Sequence, residues 1–165
     1  MEKTELRRNI LRILGENGRL QAEEIAERID AAASEVEKEI RILEQENVII
    51  GYQAIFDEAE LPENAVKAII EVKVKPEREG GFDKIARRLS RFPQVSSLYL
   101  MSGPYDLQLE VKGKSLNDVA YFVSSRLSTI DGVLSTSTHF LLKKYKEAGK
   151  LMQEEDDHER LKVTP

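Results

Sequence analysis

Three runs of apolar side chains at helical spacing occupy the first fifty residues of the chain. The first run predicts a helix that ends at Glu16-Asn17-Gly18 and whose inward positions are Leu6, Ile10, Leu11, Ile13 and Leu14. A short second helix is predicted over 22–29. The third run predicts a helix with Val36, Ile40 and Leu43 on its buried side. Three short helices in this order are typical of a helix-turn-helix unit.

The residues around the third helix carry the signals that begin and end such an element. Ser34 has the side chain of a helix cap, because its hydroxyl can accept from an exposed backbone N–H. Asn47 tolerates the left-handed conformation that ends helices. The β-rich residues 48–54 then predict a strand. With this strand as a wing, the unit is predicted to be a winged helix-turn-helix, the architecture of many DNA-binding proteins.

The pattern changes after an acidic stretch, residues 57–65, which Pro62 interrupts. Alternating and helical stripes follow in the order strand-helix-strand-strand-helix-strand. The predicted strands cover 66–75, 95–101, 105–111 and 133–145, and the predicted helices cover 82–92 and 116–127. This order predicts a ferredoxin-like βαββαβ sandwich, a four-stranded antiparallel sheet with two helices on one face. The fold class is therefore α+β.

Four segments result from this pattern. Residues 1–50 are predicted to form the winged helix-turn-helix domain, 51–65 a strand and linker, 66–145 the ferredoxin-like domain, and 146–165 an acidic tail that is mobile or docked on a partner. A sheet with helices on one side leaves its other face bare. We expect that face to expose apolar surface and to mediate dimerisation.

Composition narrows the kinds of site that the chain can hold. With 41% hydrophobic and 33% charged residues it has the composition of an ordinary globular protein. The absence of cysteine excludes disulfides and thiolate metal sites. His139 and His158 are the only histidines and lack partners at ligand spacing, so neither a metal nor a cofactor is predicted. No long apolar run indicates a signal peptide or a membrane span, and we expect a cytoplasmic protein.

Charge is unevenly distributed between the two predicted domains. Residues 1–50 hold 8 basic and 12 acidic side chains, a net charge of −4, whereas residues 66–145 hold 13 and 8, a net charge of +5. Non-specific affinity for DNA comes mainly from Lys and Arg side chains that neutralise phosphates. The net charge of the first domain therefore argues against strong DNA binding by a single copy.

The angular distribution of the charges on the third helix gives a more selective picture. At 100° per residue, the positions opposite the buried stripe are Ser34, Lys38, Arg41 and Gln45. The acids of this helix all lie about 70° or more from the centre of that outward stripe. We therefore predict that these four residues face DNA, with phosphate contacts added by Arg7, Arg8, Arg12 and Arg19.

The flanking acids also have an interpretation that does not involve DNA. Glu35 and Glu37 are favourably placed near a helix N-terminus, and Glu37 is spaced for an i,i+4 ion pair with Arg41. Charged flanks of this kind solvate any amphipathic helix. Our hypothesis is that one reading helix binds weakly, and that oligomerisation compensates by engaging several half-sites at once.

The order and spacing of several short motifs resemble the Lrp/AsnC family of prokaryotic transcription regulators over nearly the whole chain. The motifs in the first domain are Ile10-Leu11-Arg12-Ile13-Leu14, Asn17-Gly18-Arg19-Leu20, Glu24-Ile25-Ala26, Ile40-Arg41-Ile42-Leu43-Glu44 and residues 48–54. Those in the second are Met101-Ser102-Gly103-Pro104-Tyr105-Asp106 and residues 132–138. The chain departs from many members by carrying Glu39 in place of Arg and Asn47 in place of Gly.

The resemblance implies a DNA-binding domain, a C-terminal domain that senses an amino acid or a related effector, and dimers that assemble into tetramers or octamers. It implies an effector site formed by Ser102, Gly103, Tyr105, Asp106, Thr136 and Thr138. Gly103 would allow close approach of the ligand, and Asp106 would accept from its α-ammonium group. The same residues also fit a plain hairpin turn, and the two threonines fit simple strand propensity.

Three functions are compatible with these observations. The leading hypothesis is a ligand-responsive, sequence-specific transcription regulator without catalytic activity. The second is a small-molecule-binding oligomeric module with weak or lost DNA binding, which the net charge of residues 1–50 favours. The third is an enzyme similar to the siroheme decarboxylases, which resemble this family, but the chain has no His-rich or basic pattern for a tetrapyrrole.

Overall fold

A computed structural model describes residues 2–58, 65–76 and 81–152 and divides the chain into two compact units, residues 1–55 and 56–165. The first unit contains three helices: α1 (Lys3–Glu16), α2 (Ala22–Ile29) and α3 (Ala33–Gln45). Their inward side chains form a small core of Leu6, Ile10, Ile13, Ile25, Ala26, Val36 and Leu43. The helical spacing of the sequence thus places the three helices correctly.

The ends of the helices show why the chain turns where it does. The side chain of Glu24 accepts from the backbone N–H of Gln21 at 2.9 Å, which closes a capping box at the start of α2. Asp30 (φ 52°) and Asn47 (φ 55°) both adopt the left-handed conformation, as predicted for Asn47. However, the residue that caps α3 is Ala32, which makes no side-chain hydrogen bond there. The prediction that Ser34 caps this helix is therefore wrong. Ser34 instead lies in the first turn of the helix.

The predicted wing strand is also corrected by the structure. Residues 48–54 form no strand, although the backbone N–H groups of Val48 and Ile49 both donate to the carbonyl of Leu43. Ile50 is 92% exposed. A strand needs a neighbouring strand for its backbone hydrogen bonds, and the described part of this unit supplies none. This segment therefore has the residues of a strand but no described strand of its own unit to pair with.

The second unit has the predicted ferredoxin-like arrangement. In chain order its elements are β1 (Val66–Val74), α4 (Asp83–Leu89), β2 (Val95–Leu100), β3 (Leu107–Gly113), α5 (Leu116–Phe122) and β4 (Val133–Phe140). The four strands form an antiparallel sheet in the order β2-β3-β1-β4. The strand β3 begins two residues later than predicted and β4 ends five residues earlier. The predicted helix over 116–127 changes at its end into a π-helical turn, Val123–Leu127.

Strand register assigns each side chain to one face of this sheet. Ile70 of β1 is paired with Leu109 of β3 and with Thr138 of β4, so these three side chains share a face. That face carries the main core, in which the sheet packs against Ile85 of α4 and Phe122 of α5. The intervening residues lie on the opposite, helix-free side, which we call the open face.

The open face is polar, contrary to our expectation. It consists of Ser97 and Tyr99 on β2, Gln108, Glu110 and Lys112 on β3, Lys67, Ile69, Glu71 and Lys73 on β1, and Ser135, Ser137 and His139 on β4. Alternation in a half-buried strand places polar residues on the side away from the core. Dimerisation through this face stays a prediction.

The predicted linker and tail are only partly described. Near the linker, Lys67 and Lys144 both form ion pairs with Glu58, and residues 59–64 lie outside the described ranges. Residues 146–151 form a small hairpin of β5 (Lys146–Glu147) and β6 (Lys150–Leu151), which corrects the prediction of a tail from residue 146. Residues 153–165 also lie outside the described ranges. Within those ranges, no helix is long and apolar enough to cross a bilayer.

Candidate DNA-binding surface and effector loop

The outward stripe of α3 is exposed as the helical wheel predicted. Ser34, Lys38, Arg41 and Gln45 are all exposed, whereas Val36 and Leu43 on the opposite side are buried. Lys38 forms no ion pair with any residue in the described part of the chain. Its ammonium group is therefore available to neutralise a phosphate.

Arg41 is already paired within its own helix. Its Nη2 donates to Glu37 Oε1 at 2.5 Å, one helical turn away, as the sequence spacing predicted. The side chains of Arg41 and Glu37 are 69% and 56% exposed, so water surrounds the pair. The outward stripe therefore presents Lys38, whose ammonium group no described residue engages, and Arg41, whose guanidinium is accompanied by a carboxylate.

Glu39 does not lie on a solvated flank as the wheel suggested. It is buried, at 6% exposure, and accepts from Arg7 Nε at 2.5 Å. The same guanidinium donates from Nη1 and Nη2 to the carboxylate of Glu46 at 2.8 and 3.1 Å. A buried carboxylate requires such a partner, and here the partner comes from α1, 32 residues away.

The network around Arg7 has two consequences for the site. The hydrogen bonds from Arg7 lower the pKa of Glu46, and those to Glu46 and Glu39 raise the pKa of Arg7. Arg7 therefore fixes α1 to α3 and is already engaged, so the structure does not support it as a phosphate contact. Arg12 is also paired, with Glu16 at 3.3 Å, although both side chains are well exposed. Arg8, Arg19 and Arg28 are exposed and form no ion pair with a described residue, so three of the six arginines of this unit remain for DNA.

A shallow groove of about 500 Å³ lies beside the outward stripe, between α3 and the connection from α1 to α2. It is lined by Leu14, Gly18, Arg19, Leu20, Gln21, Ala22, Glu37, Ile40, Arg41 and Tyr52. The hydroxyl of Tyr52 donates to Glu44 at 3.0 Å. Tyr52 is half-exposed, and partial desolvation followed by the bond to Glu44 raises the pKa of its hydroxyl. Tyr52 thereby fixes the segment that follows α3 against the helical unit.

The candidate effector loop connects β2 to β3 and is closed by a hydrogen bond from the N–H of Met101 to the carbonyl of Asp106 at 2.8 Å. The carboxylate of Asp106 accepts from the N–H of Val74 at 2.9 Å and from Lys73 Nζ at 3.1 Å. The bond from Val74 is the main cause that lowers the pKa of Asp106. Asp106 thus anchors the loop to β1, a role that the sequence alone did not reveal.

The remaining loop residues leave space beside the backbone. Gly103 has φ 150°, a conformation that side-chain-bearing residues rarely adopt, and a Cβ added there would meet no atom within 4 Å. Ser102 is exposed and Tyr105 is half-buried. The loop therefore combines a fixed base at Asp106 with an open tip.

The structure does not bring the two threonines next to this loop. Thr136 of β4 is paired with Val72 of β1. On the other edge of β1, the carbonyl of Val72 accepts from the N–H of Asp106. Asp106 and Thr136 therefore flank β1, about 10 Å apart across two strand spacings. Thr136 and Thr138 lie half-buried on the helix-covered face. A ligand that contacts both the loop and the threonines would have to span β1.

Comparisons with known proteins match both units. The sequence profile for a winged helix-turn-helix DNA-binding domain matches residues 3–50, and the profile for the Lrp/AsnC ligand binding domain matches residues 67–151. The HTH-type transcriptional regulator YugG of Bacillus subtilis is 48% identical over the full length of both chains. The Bkd operon transcriptional regulator of Pseudomonas aeruginosa is 31% identical over 81% of this chain and 87% of its own.

Solved structures show the same fold. A transcriptional regulator from Neisseria meningitidis, solved as a complex with L-Met, superposes with a TM-score of 0.66 at 26% identity, covering 89% of this chain and 93% of its own. Escherichia coli AsnC superposes with a TM-score of 0.63 at 20% identity, covering 87% and 94%. With a DNA-binding helical unit, a ligand-binding sandwich and full-length regulator relatives, this chain belongs to the Lrp/AsnC family of transcription regulators.

Proposed function

We propose that this regulator binds an amino acid or a related small effector at the loop over 101–106 and responds by changing how its oligomer engages DNA. The observation that carries this proposal is the anchored loop with an open tip at Gly103, within the residues that match a ligand-binding domain. The similar Neisseria regulator complexed with L-Met supports an amino acid as the ligand class. We place the regulator in the cytoplasm and assign it no catalytic role.

Asp106→Asn tests the effector site. The amide can accept from either Val74 or Lys73 but cannot form the charged pair with Lys73, so the loop anchor is weakened. We expect the variant to lose most of the rise in melting temperature that an effector gives the wild-type protein. The measurement is a thermal-shift screen with the twenty free amino acids, each at several concentrations.

Asp118→Asn is the matched control for this screen, because Asp118 is an exposed acid of α5. It should respond to the effector as the wild type does. If Asp106→Asn keeps the full effector-induced shift, the loop is only a turn and the effector binds elsewhere.

For DNA, we propose that Ser34, Lys38, Arg41 and Gln45 read the major groove and that a single copy binds weakly. The support is electrostatic: residues 1–50 carry a net charge of −4, and Arg7, Arg12 and Arg41 are each engaged by a carboxylate. Assembly into a dimer, and from dimers into a tetramer or octamer, would engage several half-sites and raise the overall affinity.

Comparison of the full chain with residues 1–60 tests this dependence on assembly. We expect the full chain to bind a target duplex about 100-fold or more tightly than the fragment, because linked sites multiply affinity. Electrophoretic mobility-shift titrations would give both affinities, and analytical ultracentrifugation would give both oligomeric states. Equal affinities would contradict the proposal.

The charge of the first unit also favours a second candidate, a small-molecule-binding module that has lost strong DNA affinity. Salt dependence separates the two functions. Phosphate contacts predict that log K falls linearly with log salt concentration. Binding that is weak at every salt concentration and shows no such slope would favour the module.

A further inference from the structure

The acids around α3 differ in what their carboxylates contact. Glu39 and Glu46 bind Arg7, and Glu44 accepts from Tyr52, so these three stabilise the fold of the unit. Glu35 forms no ion pair with a described residue. Glu37 alone among them binds a residue of the outward stripe, Arg41. Any surface that Arg41 approaches is therefore approached by the Glu37 carboxylate as well.

The ion pair itself contributes little to the stability of the helix. Exposed i,i+4 pairs have small effects because water solvates both partners and the side chains lose rotational freedom. Beside DNA, however, a carboxylate is repelled by the phosphates. Glu37 therefore weakens binding to every sequence unless the groove offers it a hydrogen-bond donor.

The major groove offers such a donor at one base above all. The exocyclic N4 amino group of cytosine donates to Glu or Asp, whereas the O6 and N7 atoms of guanine accept from Arg. In the structure Arg41 occupies only Oε1 of Glu37, and Oε2 has no partner among the described residues. Toward the described residues Arg41 likewise uses only Nη2, so its other nitrogens remain able to donate to a base. The pair thus presents an acceptor and a donor side by side.

We propose that Glu37 and Arg41 act together as a specificity pair for a G·C base pair or a step that contains one. Glu37 accepts from cytosine N4, and Arg41, held by the same carboxylate, donates to guanine of the same or the adjacent base pair. This inference rests on the proposed role of α3 as the reading helix. The Glu37 carboxylate then lowers the affinity for DNA of every other sequence and selects cytosine at one position.

Selection of binding sites from a randomised duplex DNA library tests the pair directly, with the full-length protein throughout. We expect the wild type to select cytosine at one position of each half-site. Glu37→Gln should lose the preference for cytosine and prefer adenine at that position by roughly 5- to 150-fold, because the glutamine amide forms two hydrogen bonds with adenine, at N6 and N7. Arg41→Ala should lose the guanine preference, because alanine has no group that can donate to guanine O6 or N7.

Glu35→Gln is the matched control. It also removes one exposed carboxylate from α3, but Glu35 forms no ion pair with Arg41. It should bind all sequences somewhat more tightly and select the wild-type motif. Circular dichroism should show the wild-type helix content for all three variants. If Glu37→Gln also selects the wild-type motif, Glu37 is only a general charge and the specificity pair is overturned. If the wild type selects no motif, α3 is not a reading helix and the proposed DNA recognition fails with it.

Discussion

Lys38→Ala is expected to weaken binding to every duplex sequence and to reduce the salt dependence of binding. Lys38 is exposed on the outward stripe of α3 and forms no ion pair with a described residue, so DNA does not compete with a carboxylate for it. Each neutralised phosphate releases condensed counterions. The slope of log K against log salt concentration is negative, and its magnitude should therefore decrease by about 1 for each reading helix.

Fluorescence anisotropy titrations at several salt concentrations would give this slope, with both a target duplex and an unrelated duplex. Lys38→Arg keeps the positive charge and should keep the slope. The loss should be similar on the two duplexes, because phosphates carry no sequence information. A slope identical to that of the wild type would show that Lys38 does not contact the backbone.

Leu43→Ala is expected to unfold most of the helical unit while leaving the sandwich folded. Leu43 is 1% exposed, and a buried leucine shortened to alanine costs about 2–5 kcal/mol. A unit of this size has a total stability of roughly 3–8 kcal/mol, so the loss removes a large share of it. The core of the sandwich contains no residue of the helical unit and should be unaffected.

Differential scanning calorimetry combined with far-ultraviolet circular dichroism would resolve the two units. We expect the transition of the helical unit to move below the working temperature, with loss of DNA binding, while the effector-dependent transition remains. Ile50→Ala is the control, since Ile50 is 92% exposed in the same unit and its truncation leaves no cavity. A single cooperative transition that shifts as a whole would contradict the independence of the two cores.

The sequence predicted those features that depend on local periodicity. Spacing at 3.6 residues located the three helices, including both ends of α2, and alternation of apolar residues located β1 and the order of the sandwich. Asn47 was predicted to be left-handed from its residue type alone, and it is. These features are determined by neighbours along the chain, which the sequence displays directly.

Features that depend on distant partners could not be predicted in this way. The burial of Glu39 depends on Arg7, and the anchoring of Asp106 depends on the backbone of Val74. The missing wing strand has the same cause, because residues 48–54 have strand propensity but no strand among the described residues of their unit to pair with. For the site, the wheel placed the outward stripe correctly, but it could not show which cations carboxylates already engage. Charge counts give the net charge of a domain, but they do not show which of its charged side chains form ion pairs.

The polar open face of the sandwich also affects how copies of this protein come together. Water already solvates a face that carries Lys67, Glu71, Gln108 and Glu110, so the sandwich does not need a partner to bury it. We therefore expect a single copy of the sandwich to fold without a partner on this face. If copies assemble as we propose, we expect them to separate and rejoin as folded units, because the surface that this face exposes when they part is mainly polar.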